Sequence, residues 1–218
     1  MDWSKARAAL AETKAPPGYE LRGLRREDVP ALVERLRDWF PDLAAGSEAV
    51  HLEPDFYRRE AALEGDGDDR PVLPVVATYE GELAAFISFE KDRSATLTCR
   101  VGAVAPSHRG TPLALLGPTL LERLGRAMGA ELVYYFATLR SLHQQVLAER
   151  FRYQLVGIVP ALDRAFVGPG EVKRVYEAIY AKVLTGDDRI SLPESSALTA
   201  RTRAVWEALF GSRGGSGC

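Results

Sequence analysis

Apolar positions along the chain fall into blocks whose spacing switches between helical and strand-like periods. Residues Asp2 to Thr13 pattern as a short amphipathic helix, which Pro16, Pro17 and Gly18 break before an extended segment from Tyr19 to Leu24. Asp28 then stands where a helix cap belongs and Pro30 falls in the first turn. Leu32, Val33, Leu36 and Trp39 or Phe40 return every three or four residues, predicting a helix packed by one face. A second helical segment, roughly Glu53 to Leu63, runs into Glu64-Gly-Asp-Gly-Asp-Asp69. Its two glycines favour an exposed loop, and the spacing and distal glutamate of a calcium loop are missing.

From Val72 the period shortens. Val75 to Thr78, the turn Tyr79-Glu80-Gly81-Glu82 and Leu83 to Phe89 read as a β-hairpin, and Ala95 to Val104 as a third extended run. After a loop at Pro106 to Gly110, the positions Leu113, Leu116, Leu120, Leu124 and Ala127 form a helical stripe interrupted by Gly117-Pro118. Proline inside a helix costs about 3 kcal/mol, so the stripe predicts either a helix kinked from Pro112 onward, which is preferred, or one that begins at Pro118. Leu132 to Ala137 is a buried-type strand, Ser141 to Arg150 a helix, Leu155 to Val159 a strand and Val172 to Leu184 a closing strand. The organisation expected is a helical arm at 1–17, a compact domain at 18–185, a linker and terminal helix at 186–210 with the helix starting near Ala197, and a flexible Gly-rich tail at 211–218.

Composition narrows the class. Across 218 residues, 28 Lys plus Arg face 30 Asp plus Glu, a net charge of −2, so neither nucleic acid nor an anionic membrane surface is attracted globally. With 46% apolar and 27% charged residues the chain is composed like an ordinary globular protein. Cys99 and Cys218 cannot build a disulfide framework, and no Cys/His cluster has metal-ligand spacing. Neither a signal peptide nor an apolar run of membrane-spanning length is present, and the expectation is a cytoplasmic protein.

The segment richest in chemistry is Val104-Ala105-Pro106-Ser107-His108-Arg109-Gly110-Thr111-Pro112-Leu113-Ala114, a strand end passing through a tight loop into a helix start. Loop and helix N–H groups there converge on an anion, the helix dipole adds attraction, and Arg109 supplies charge. Neither a Walker A loop nor a dinucleotide GxGxxG occurs at this junction. With Val104, Pro106, Arg109, Pro112 and Ala114 in place, the segment resembles the acetyl-CoA loop of the GCN5-related N-acetyltransferase (GNAT) superfamily, V-x-P-x-x-[RQ]-x-x-G-x-[GA]. Leu147-Ala-Glu-Arg-Phe-Arg-Tyr153 followed by Gly157-Ile-Val-Pro160 is similar to a second family segment, and the order of elements from Tyr19 to Leu184 agrees. The resemblance implies an α/β fold, a mixed and mostly antiparallel sheet flanked by helices with a short C-terminal helical extension. It implies acetyl-CoA as cosubstrate, without a metal, and acetyl transfer to an amine by direct attack. Backbone groups of Gly102, Ala103 and Val104 would pair with the pantetheine arm, and Arg109, Gly110, Thr111, Pro112, Leu113 and Ala114 would hold the pyrophosphate. A backbone N–H near Val104 would stabilise the oxyanion.

Four positions depart from the family pattern. Pro112 replaces a glycine and removes one N–H donor. Ala148 stands where a tyrosine acid is frequent, with Ser141 in place of the asparagine seven residues earlier. Phe136 occupies a position where members acting on protein N-termini often carry a glutamate, which points to a small-molecule amine. Replacement proton carriers are Glu90, at the end of the hairpin, and His143, whose ordinary titration lies near neutrality. A surface carboxylate and a helix-start histidine bonded to backbone are the plain readings of these two residues. Core packing is the plain reading of Cys99. Two rival accounts keep the fold but differ in function: a CoA-binding sensor without efficient turnover, and a structural protein in which the loop is only a turn. Exposed strand edges or the terminal helix leave room for a homodimer.

Overall fold

The structure, a computed structural model, describes residues 1–67 and 69–211. Seven strands form one sheet in the order β1-β2-β3-β4-β5-β7-β6: β1 (Tyr19–Gly23), β2 (Val72–Tyr79), β3 (Glu82–Lys91), β4 (Thr96–Val104), β5 (Leu132–Thr138), β6 (Gln154–Gly168) and β7 (Glu171–Val183). All neighbours are antiparallel except β4 and β5, which run parallel. The expected mixed, mostly antiparallel sheet with flanking helices is therefore observed.

The near-continuous apolar runs of β2 and β3 reflect burial on both faces, each covered by helices. On one face α2 (Val29–Trp39) and α3 (Pro54–Glu60) bury Leu32, Leu36 and Phe56 against Val76 and Phe86. On the other, α1 (Trp3–Ala11), α4 (Leu116–Met128) and α5 (Leu142–Arg150) bury Leu10, Leu120, Leu124 and Ala148 against Val75, Leu97 and Tyr180.

Four expectations change. Helix α1, read as an arm, is seated in this second core: Trp3 and Ala6 are fully buried, and the Trp3 indole donates to the Arg70 carbonyl at 2.8 Å. Its apolar face is wide enough to pack, which periodicity shows without saying on what. The kinked helix from Pro112 is a short 3₁₀ turn, Pro112–Leu115, followed by a regular helix from Leu116. Pro118 thus lies in the first turn of α4, where its missing N–H breaks no helical bond. Strand β6 does not stop at Val159 but continues to Gly168, pairing with β7 through several register shifts that absorb Pro160 and the residues after it. The terminal helix α6 (Ala200–Phe210) starts after a separate turn, Ser195–Ala197, and is tied to β6 by the Gln154 side-chain bond to the Leu209 carbonyl. The predicted tail lies, from residue 212 on, outside the described residues.

Candidate active site

The cleft arises where the two parallel strands part. β4 and β5 pair only from Thr96↔Leu132 to Cys99↔Tyr135. Beyond that point β4 stays paired to β3 as far as Ala85↔Val104, and β5 to β7 as far as Thr138↔Glu177. Each strand is held from outside while the inner edges diverge. Register slips between Ser88↔Val101 and Phe89↔Cys99, so Arg100 is a bulged residue with no partner opposite, and β4 bends at that point. The resulting V opens a cavity of about 630 Å³. Trp39 and Phe40 reach it from the α2 face, and Leu113, Pro118 and Leu147 from the α4 and α5 face.

Gly102, Ala103, Val104, Arg109, Gly110, Thr111, Leu113 and Ala114 all line this cavity, whereas Pro112 does not. The strand residues among them present backbone that no neighbouring strand engages on that side, the form in which an extended ligand adds to a sheet. A Cβ on Gly102 would meet nothing within 4 Å, so the channel beside it is open. The loop after β4 is already folded on itself. Thr111, whose side chain caps the Pro112–Leu115 turn, accepts from the Leu113 N–H at 3.3 Å, and its carbonyl accepts from the Ala114 N–H at 3.3 Å. These long bonds leave the donors weakly committed. Gly110 has φ of +82°, a backbone state that suits glycine, and among the described residues its N–H has no protein acceptor. The open channel and the uncommitted Gly110 N–H at a turn leading into α4 fit a thioester cosubstrate with a phosphate group.

The polar residues divide by face. His143 and Gln144, in the first turn of α5, line the cavity. Ser141 caps that helix by accepting from the His143 N–H at 3.3 Å, and the buried Ala148 offers no acid. Glu90 does not line the cavity, and its carboxylate lies 3.6 Å from Arg100. Arg100 does line it, and its Nη2 is 2.9 Å from Glu48 Oε2. His51, fully buried, completes the chain behind Glu48. Its Nδ1 lies 3.1 Å from the Glu48 carbonyl and its Nε2 2.9 Å from Ser88 Oγ. Burial, with Arg100 nearby, lowers His51 to about 3, so the ring is neutral; the partners assign the proton to Nδ1, and Ser88 donates to Nε2. Burial also raises Glu48 above the ordinary carboxylate range, against the pull of Arg100.

Reading the sequence missed Arg100, Glu48 and Gln144, because a bulge and a loop-to-strand ion pair leave no spacing signal. Cys99 lines the cavity, and burial pushes its thiol up to about 12. Among the described residues no group of His, Cys, Asp and Glu could hold a metal ion, and no helix is long and apolar enough to cross a membrane.

No protein-family model matches the chain, and no curated protein matches it. Solved structures do. An acetyltransferase from Salmonella typhimurium, solved with its cofactor acetyl-CoA, is similar at 16% identity and a TM-score of 0.59, covering 82% of this chain and 99% of that one. An acetyltransferase of the GNAT family from Streptococcus pneumoniae matches at 10% identity and 0.55, covering 77% and 99%. A ribosomal L7/L12 α-N-protein acetyltransferase matches at 13% and 0.56, covering 80% and 98%. The fold is that of the GNAT acetyltransferases.

Proposed function

We propose that the protein transfers an acetyl group from acetyl-CoA to an amine, with a small-molecule amine as the acceptor. The observation that carries this is the V between β4 and β5, which opens a cavity lined from both faces of the sheet and by the loop after β4. The unpaired edge at Gly102, Ala103 and Val104 would bind the pantetheine arm as an added strand, and the turn from Arg109 to Ala114 would receive the pyrophosphate. The acceptor would enter from the α2 face, past Trp39 and Phe40. Similar structures that carry acetyl-CoA or act as acetyltransferases support the same reading.

Transfer by direct attack fits the chemistry of the cavity wall. With Cys99 held as a thiol, an acyl-enzyme on that sulfur would require a thiolate that burial disfavours. His143, which lines the cavity at the start of α5, would protonate the departing sulfur. The test is thiol release from acetyl-CoA against a panel of amines: amine-dependent release supports transfer, and CoA binding without release turns the reading to a sensor.

A further inference from the structure

The loop after β4 is tied to β1, a strand none of whose residues lines the cavity. The Tyr19 hydroxyl, at the start of β1, is hydrogen-bonded to His108 Nδ1 at 2.9 Å, across 89 positions of the chain. The two rings meet edge-on with centroids 5.5 Å apart, and Tyr79, which faces Tyr19 across the β1–β2 pair, lies 5.3 Å from each. Gly18 makes room for this triad: a Cβ there would stand 3.1 Å from Tyr79 Cε2, and its φ of +83° suits glycine. Tyr19 and His108 are half-buried, and neither lines the cavity.

Through His108 the tie enters a turn that does line it. The His108 carbonyl accepts from the Thr111 hydroxyl at 2.7 Å and from the Thr111 N–H at 3.4 Å, closing the four residues from His108 to Thr111. Arg109 at φ −66° and ψ 144°, followed by Gly110 at φ +82°, makes this a type II β-turn, the form that calls for glycine at its third position. The peptide joining the two central residues takes no part in the bonds of the turn, and its N–H is that of Gly110. Arg109, Gly110 and Thr111 all line the cavity. The turn is held on one side by the Arg109 bond to the Trp39 carbonyl and on the other by His108, whose side chain makes no other hydrogen bond among the described residues than the one to Tyr19.

We propose that Tyr19 and His108 are positioning residues for the cosubstrate: their bond holds the turn from His108 to Thr111 so that the Gly110 N–H and the Arg109 side chain meet the pyrophosphate, an assignment that rests on the function proposed above. Neither residue touches the thioester or the acceptor, so the pair sets how tightly the phosphate end is held and leaves the rate of transfer alone. A donor that carries the thioester and the pantetheine arm but no pyrophosphate reaches the same reacting atoms without using the turn. Loss of the Tyr19–His108 bond therefore weakens only the donor with phosphates.

The experiment measures kcat and KM for acetyl-CoA and for S-acetylpantetheine, with the amine that gives the fastest thiol release, in wild type, Tyr19→Phe, His108→Phe and the double variant. Thermal melts show which variants fold. Tyr79→Phe, which keeps a ring of the triad and removes a hydroxyl that bonds no described residue, is the packing control. We expect Tyr19→Phe to raise KM for acetyl-CoA about 5-fold with kcat near that of wild type and KM for S-acetylpantetheine unchanged. The double variant should fall no further than the weaker single one, as for two groups that act through one bond. An unchanged KM for acetyl-CoA in Tyr19→Phe, an equal loss with both donors, or the same rise in Tyr79→Phe overturns the assignment alone. Wild type that binds no acetyl-CoA, or binds it and acetylates no amine, overturns the transfer reading and this assignment with it.

Discussion

The Arg109 guanidinium donates Nη2 to the Trp39 carbonyl at 2.6 Å, lacing the loop after β4 to the end of α2. Its Nε adds a longer bond to the Val104 carbonyl at 3.4 Å. The residue that the motif assigns to a phosphate is thus also a structural tie that shapes the cavity mouth. Arg109→Ala removes both the tie and a charged donor, and a hydrogen bond to a charged group is worth about 1.5–3 kcal/mol. The account predicts CoA binding weakened about 10- to 100-fold, read by calorimetry. Unchanged affinity would place the cosubstrate elsewhere.

Gly102 offers a cleaner probe of the channel. A Cβ there meets open space and the backbone is ordinary, so Gly102→Val should leave the thermal midpoint near that of wild type. Its side chain would stand in the channel beside the unpaired β4 edge. We expect CoA binding to fall by ten-fold or more with folding intact, and an undiminished affinity would sink the placement of the pantetheine arm.

His51 couples folding to acid. Its folded value, about 3, lies below the ordinary 6.5, so the unfolded chain binds the extra proton, and the His51 contribution declines as pH falls from 6.5 toward 3. Glu177 has the opposite sign, because its folded value is raised from 4.5 to about 7 and its contribution is lost as pH rises through that range. The two partly cancel in the native protein. His51→Asn exposes one of them: the stability difference between wild type and variant should shrink by on the order of 3 kcal/mol from pH 6.5 to 4. Urea titrations across that range check this, and a constant difference would mean that His51 is charged in the fold.

Much of this architecture could be read from residue spacing, and the parts that could not share a cause. The hairpin of β2 and β3, the loop after β4 and the Ser141-capped α5 rest on local turn, cap and period signals. Arg100 and Glu48 meet through a bulge and a connecting segment far apart in the chain, so only the folded sheet brings them together. The extension of β6 past Val159 was hidden because both of its faces are largely exposed and carry no alternation. Pro118 misled because the cost of proline depends on whether it falls in the first turn, and the true start of α4 is set by the Thr111-capped turn before it.

Helix α1 is part of the fold by the same logic. Trp3 is fully buried, and Trp3→Ala should cost about 3–5 kcal/mol of unfolding free energy. Chemical denaturation measures it directly, and a loss below about 1 kcal/mol would return α1 to the status of a loosely attached arm.

The central claim is that the V between β4 and β5 holds acetyl-CoA for transfer to an amine. Calorimetric titration of the full chain with acetyl-CoA, run beside thiol release with and without amine, tests it most directly. The account predicts saturable one-to-one binding and release that depends on amine. Absence of binding would reduce the loop after β4 to a turn and contradict the account.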